Sequence, residues 1–187
     1  MPNSRLRMLL AANLISLAGY YFFVPLYALF ATEVGATPAV IGLLWSFYSL
    51  AMAVWILAIA RFASRFNQDK LVVLGFGMAA IGSASFFLVS DVTSLALALL
   101  VNSLVAGVLL PAYKTVYARN QDKGRESQEW SLYDSSSMLA IAAGSAIGGL
   151  IIATHGFTGI FTLMTLVQVL AVLIAYSEFK KNAKAAS

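Results

Sequence analysis

Apolar residues run almost unbroken through six stretches of this chain, roughly 8–31, 38–60, 70–90, 93–117, 128–153 and 157–178, and the charges gather between them. Between Met8 and Arg61 the only charged residue is Glu33, and from Leu71 to Tyr113 there is only Asp91. From Ser135 to Ser177 there is none. A helix needs about 20 mostly apolar residues to cross the hydrocarbon of a bilayer, and each stretch supplies them. The pattern predicts an all-α polytopic membrane protein with six transmembrane helices.

Composition agrees. Of 187 residues, 60% are hydrophobic and 11% charged, whereas a soluble domain carries about 25% charged residues. The first stretch has the basic flank of a signal peptide, "MPNSRLRMLL". Its apolar run is too long for a signal core, lacks a small-x-small cleavage site, and leads into five further spans. Cysteine is absent, which excludes disulfides, thiolate metal sites and cysteine nucleophiles.

Charge sets the orientation. Arg5 and Arg7 precede helix 1. Arg61, Arg65 and Lys70 surround the turn after helix 2. Lys114, Arg119, Lys123 and Arg125 lie around the turn after helix 4, and Lys180, Lys181 and Lys184 follow helix 6. The alternate turns, "TEVGATP", "SDVTS" and "THGFTG", hold no lysine or arginine. The positive-inside rule therefore places both termini in the cytoplasm, with the chain in the cell's inner membrane. The net charge of +4 follows from this topology and calls for no nucleic acid.

The chain also repeats itself. "WSFYSLAMAVW" (45–55) resembles "WSLYDSSSMLA" (130–140), and "FVPLYALFA" (23–31) resembles "LLPAYKTVYA" (109–118), at offsets of 85 and 86. The two matches relate helices 1 and 2 to helices 4 and 5. Three helices is an odd number, so the second triplet crosses the membrane in the opposite sense. This predicts one six-helix domain of two inverted three-helix repeats, about 8–90 and 93–178, an arrangement used by many transporters.

These features together resemble the major facilitator superfamily, whose members combine two six-helix halves. "GYYFFVPLY" and "VGATPAVIGLLWSFYSLAMAV" look like its helix 1, short outer turn and helix 2, with Thr37 and Pro38 a good helix start in their own right. "ARFASRFNQDKLVVLG" (60–75) is similar to its cytoplasmic gate signature, in which Arg61, Ser64, Arg65 and Lys70 take part. Ala60, Ser64 and Asn67 depart from it, and without a carboxylate at Ser64 the family's charge relay cannot work in its usual form. "AGVLLPAY" resembles helix 4 and "GSAIGGLI" (144–151) helix 5. The chain matches a single half. Its short start and its tail "FKKNAKAAS" read as true ends, which favours a half-size protein that dimerises over one half of a longer twelve-helix transporter.

Helix 1 carries Asn13, Ser16, Tyr20 and Tyr27 on one face, with Tyr21 at its edge. Such groups are costly against lipid, so the face points at protein or water. The resemblance implies a substrate path built from Asn13, Tyr20 and Tyr21 with Asn102, Tyr113 and Lys114 of helix 4. The alternative is plain hydrogen bonding between helices. Trp130, Tyr133, Ser137, Gly144 and Gly148 share one face of helix 5, the two glycines forming a small-xxx-small seam. Trp45, Tyr48, Ser49 and Met52 do the same on helix 2. Both faces are expected either at a subunit interface or in packing within one half. Asp134 is the one acid within membrane depth, and Lys114 is its natural partner. Together they make a proton-coupling site or a static ion pair.

Other chemistry is sparse. His155 is the sole histidine, Ser135–Ser137 have no base beside them, and no phosphate-cradling G-x-x-x-x-G-K loop is present. No enzyme, cofactor or metal is implied. The expectation is a secondary transporter or facilitator of a small solute, working as a homodimer by rocking of its halves, with protons as a candidate coupling ion. Its rival is a non-transporting binding or assembly protein of the same fold.

Overall fold

The structure, a computed structural model, describes residues 4–63 and 65–185. Among them are six α-helices and no strand: α1 (Ser4–Tyr21), α2 (Tyr27–Glu33), α3 (Pro38–Ala63), α4 (Gln68–Ser85), α5 (Val92–Arg119) and α6 (Glu126–Ala185). Five helical runs are long and apolar enough to cross a membrane: Ser4–Glu33, Pro38–Arg61, Gln68–Leu88, Val92–Arg119 and Glu126–Lys180.

The first run is not the continuous helix its pattern suggested. α1 ends at Tyr21, a 3-10 turn covers Val24–Leu26, and α2 resumes at Tyr27. Pro25 sits in that turn; it has no N–H to donate and crowds the preceding turn, so the helix breaks there. Pro111 stays inside α5, which continues past it to Arg119.

Three helices, α3, α4 and α5, begin on side-chain caps. Thr37 Oγ1 accepts from Val40 N–H at 3.5 Å as Pro38 opens α3. Asn67 caps α4, accepting from the N–H groups of Asp69 at 2.9 Å and Lys70 at 3.4 Å. Asp91 and Ser94 form a reciprocal capping box at α5. The Ser94 N–H, followed by its hydroxyl, holds the Asp91 carboxyl below the usual carboxylate range.

The last run, 55 residues long, would extend about 80 Å if straight, far beyond a ~30 Å hydrocarbon core. It is broken at Gly156, whose φ of 62° and ψ of −165° suit a residue without Cβ. The two arms, 126–155 and 157–185, pack on α1 in opposite senses. In the first arm Gly144 meets Ala18 and Gly148 meets Phe22, so the arm runs parallel to α1. In the second arm Phe157 and Phe161 stack around Phe23 and Phe30. Further along, Gln168 meets Ser16, and Ala171 and Ala175 join Leu6, Leu9 and Leu10. That order is antiparallel, so the chain doubles back at Gly156.

The buried residues divide into two clusters at opposite ends of the bundle. One gathers Phe22, Phe23, Tyr27, Phe30, Phe86, Leu95, Phe157 and Phe161. The other gathers Leu6, Leu10, Val72, Phe76, Tyr113, Val116, Tyr117 and Ala175. Outward faces are also apolar: Leu43, Leu50, Leu57, Leu139 and Leu150 are each two-thirds or more exposed. A soluble monomer does not leave such continuous apolar faces in water; lipid is their solvent.

Candidate functional site

Between the two packed ends lies a stretch whose residues belong to neither cluster. On α1 the cluster residues stop at Ala12 and resume at Phe22. Along α4 they stop at Phe76 and resume at Phe86, just past its end, and on α5 the gap lies between Leu99 and Ala112. The residues in these gaps line a partly open cavity of about 210 Å³ at mid-depth. Its polar lining is Asn13, Ser16, Tyr20 and Tyr21 from α1, Tyr48 from α3, Ser83 from α4, Asn102 from α5 and Gln168 from the second arm of α6.

Each polar group has a definite place. The Tyr20 and Tyr48 hydroxyls share one hydrogen bond of 3.2 Å, which leaves one O–H of the pair free to donate. Gln168 accepts from the Ser16 hydroxyl at 2.6 Å and donates to the Ser16 carbonyl at 3.0 Å. Asn102 donates both amide hydrogens, to the Gly82 carbonyl at 3.0 Å and the Ala98 carbonyl at 2.8 Å, so it ties α4 to α5. Asn13 faces Tyr133 across the contact with α6, but its Nδ2 meets no acceptor at hydrogen-bonding geometry.

Four of the residues expected on a solute path, Asn13, Tyr20, Tyr21 and Asn102, therefore converge on one cavity. Tyr113 and Lys114 do not line it. Tyr113 is buried nearer one end, stacked against Tyr117 with ring centroids 6.0 Å apart. Lys114 is the next residue along and faces outward. The expected ion pair between Lys114 and Asp134 is not formed: both side chains are exposed, and neither is among the ion-paired groups of the described residues. Helical phase is the reason, since each sits on the outer flank of its helix. Burial of a charge, which would have demanded the pairing, does not arise within this chain.

The residues expected at a subunit interface divide. Gly144 and Gly148 are buried against the carbonyls of Ala18 and Phe22, so the small-xxx-small seam serves α1 of the same chain. Ser137 is buried and Tyr133 half-buried beside Tyr113 and Tyr117. Trp130 lies 5.0 Å from the Tyr117 ring, as Trp45 lies 5.1 Å from Tyr27. Tyr48 and Met52 line the cavity. Ser49 and the outer part of Trp45 remain exposed.

At the end of the bundle that carries most of the arginines, Asp69 bridges Arg5 at 2.5 Å and Arg119 at 2.8 Å. One carboxylate thus joins the start of α1, the start of α4 and the end of α5. Of the expected gate residues, Arg61, Arg65 and Lys70 are exposed near this end, and Ser64 lies outside the described residues. Asn67, which stands where the resembled signature has a glycine, caps α4 instead. Asp69, Ser83 and Gln168 are residues that sequence reasoning passed over. Gln168 is the lone amide of the last apolar stretch, a signal that could have marked it.

Fold and cavity define a multi-pass, all-helical membrane protein with a polar-lined recess at mid-depth. The profile of the Major Facilitator Superfamily matches residues 9–186, and the chain belongs to that family. It is 22% identical over 172 residues to an uncharacterized MFS-type transporter of Methanocaldococcus jannaschii, across 89% of this chain and 45% of that protein. It also superposes on the in meso crystal structure of the POT family transporter PepTSo with a TM-score of 0.76 and 15% identity, over 94% of this chain and 37% of that one. At that identity the likeness is one of fold. The chain spans less than half the length of both relatives.

Proposed function

We propose that the chain is a six-span transport unit that carries a small solute together with a second six-span unit. The observation that carries this reading is the mid-depth cavity, which gathers Asn13, Tyr20, Tyr21 and Asn102 from α1 and α5. A polar recess that only packed helices together would be filled; this one is open. The second unit is a second copy of the chain, and rocking of the two about the shared cavity exposes it alternately to either side.

Six traversals are supported by the reversal of α6 at Gly156. Two inverted repeats are supported by the sequence matches at offsets of 85 and 86, whose Tyr27 and Tyr113 fall in clusters at opposite ends of the bundle. Cytoplasmic termini follow from the one-sided lysine and arginine distribution. The exposed Asp134 and Lys114 are assigned to the contact with the second unit, which would take them out of lipid.

Reconstitution into sealed vesicles tests the proposal. Counterflow of a labelled solute through the purified protein supports it, and vesicles that take up no more than empty ones favour the non-transporting rival. Cysteines at the exposed Ser49 and Ser135 should crosslink between copies in membranes; a strictly monomeric protein that still transports would refute the dimer.

A further inference from the structure

Among the described residues that line the mid-depth cavity there is no carboxylate, amine, guanidinium or imidazole. The ion pairs of Asp69 lie at the end of the bundle, and Asp134 and Lys114 are not part of the lining. A charged solute entering this recess would lose its hydration without meeting a counter-ion, a penalty of several kcal/mol that excludes it. The cavity instead offers hydrogen bonds.

Several of those hydrogen-bonding groups are unspent. The Gln168 carbonyl accepts from Ser16, while the Gln168 amide donates only one bond to the Ser16 carbonyl. Asn13 Nδ2 is buried toward Tyr133, and the amide oxygens of Asn13 and Asn102 receive no donor among the described residues. The Tyr20–Tyr48 pair has one hydroxyl hydrogen to spare. The unspent groups are thus both donors, on Gln168 and the Tyr20–Tyr48 pair, and acceptors, the amide oxygens of Asn13 and Asn102, set among Leu17, Met52, Val105 and Leu109. A ligand that answers them presents a neutral group that both donates and accepts, such as an amide, on an apolar frame. At about 210 Å³ the recess is below the ~300–1,000 Å³ of a drug-sized pocket, so it holds one small ring or its equivalent.

From this we infer that the part of the solute seated against this chain is uncharged, small and able both to donate and to accept hydrogen bonds, with Asn13 as the residue that sets its charge preference. The inference rests on the transport reading for its biological meaning, but it concerns binding and is tested by binding.

Three probes of one shape separate the possibilities: benzamide, benzoate and benzamidinium. Thermal stabilisation of the detergent-solubilised protein reads binding, and vesicle uptake reads transport. Benzamide should stabilise the parent protein while its two charged analogues do not. Asn13→Leu should lose the benzamide shift, and Asn13→Asp, which places a carboxylate in the same volume, should gain roughly tenfold in affinity for benzamidinium. Unfolding curves without ligand check that both variants fold; Tyr48→Phe, which removes a hydroxyl from the lining, is the second variant and should weaken benzamide binding. A charged probe that binds the parent as well as benzamide does, or failure of all three to bind, overturns the inference. Benzamide binding without uptake of any solute leaves the inference standing and removes the transport reading. Uptake of a charged probe without benzamide binding does the reverse.

Discussion

Adjacent glycines on the first arm of α6 should respond to the same substitution with opposite signs. A Cβ on Gly148 would collide with the carbonyl oxygen of Phe22, and its next contacts are the Phe22 carbonyl carbon at 2.8 Å and Cα at 2.9 Å. All three are backbone atoms, so no side chain can swing away; the two helices must separate. A Cβ on Gly149 meets nothing within 4 Å. Alanine is favoured over glycine within a helix by roughly 0.8–1.0 kcal/mol, and Gly149→Ala should keep most of that gain. Gly148→Ala carries the same gain against an overpacking cost at the upper end of ~1–3 kcal/mol. Its net effect is a loss of about 1–2 kcal/mol, so the two variants should differ by about 2–3 kcal/mol. Equilibrium unfolding in mixed detergent micelles measures the difference. Equal stability of the two variants would refute the parallel contact of α1 with this arm.

Further outcomes follow from the same geometry. Gln168→Leu strips both hydrogen bonds from Ser16 and should cost about 1 kcal/mol, near the upper part of the range for bonds between spanning helices; a double cycle with Ser16→Ala should show coupling, and strict additivity would contradict the contact. Asp69→Asn should lower stability by about 1 kcal/mol, less at high salt, because two partly exposed pairs are lost together; salt-independent loss would point to another cause. Asp134→Asn should leave the unfolding midpoint of the monomer within ~0.5 kcal/mol of the parent while weakening association of copies, measured by sedimentation in detergent. The Asp91 cap has a pH signature. Its folded carboxyl lies below the ordinary carboxylate value, so its contribution is present above about pH 4 and is lost as the pH falls through the lowered value. Asp91→Asn keeps an N-cap oxygen and should remove this acid-side dependence; unchanged acid sensitivity would show that other groups cause it.

Span positions were legible along the chain because the bilayer imposes one requirement, about 20 apolar residues, that local composition alone can satisfy or fail. The start of α3 was equally local, since Thr37 and Pro38 mark the beginning of their own helix; the Asp91 cap of α5 is as local but was not read. The polar face of α1 was readable too, because Asn13, Ser16 and Tyr20 recur at helical spacing whatever stands opposite. What stands opposite was not readable. Helical period puts Gly144 and Gly148 on one face but does not say whether that face meets α1 or another copy, and the backbone of Ala18 and Phe22 decided it. Lys114 and Asp134 share a depth in sequence, yet depth carries no azimuth, and rotation of α5 and α6 turned both outward. Gln168 joins Ser16 across 152 positions, and Asp69 joins Arg5 and Arg119 across 64 and 50. Such partners are chosen by how the helices pack, because a side chain's neighbours along the sequence fix its height in the membrane and only the bundle fixes the direction it faces.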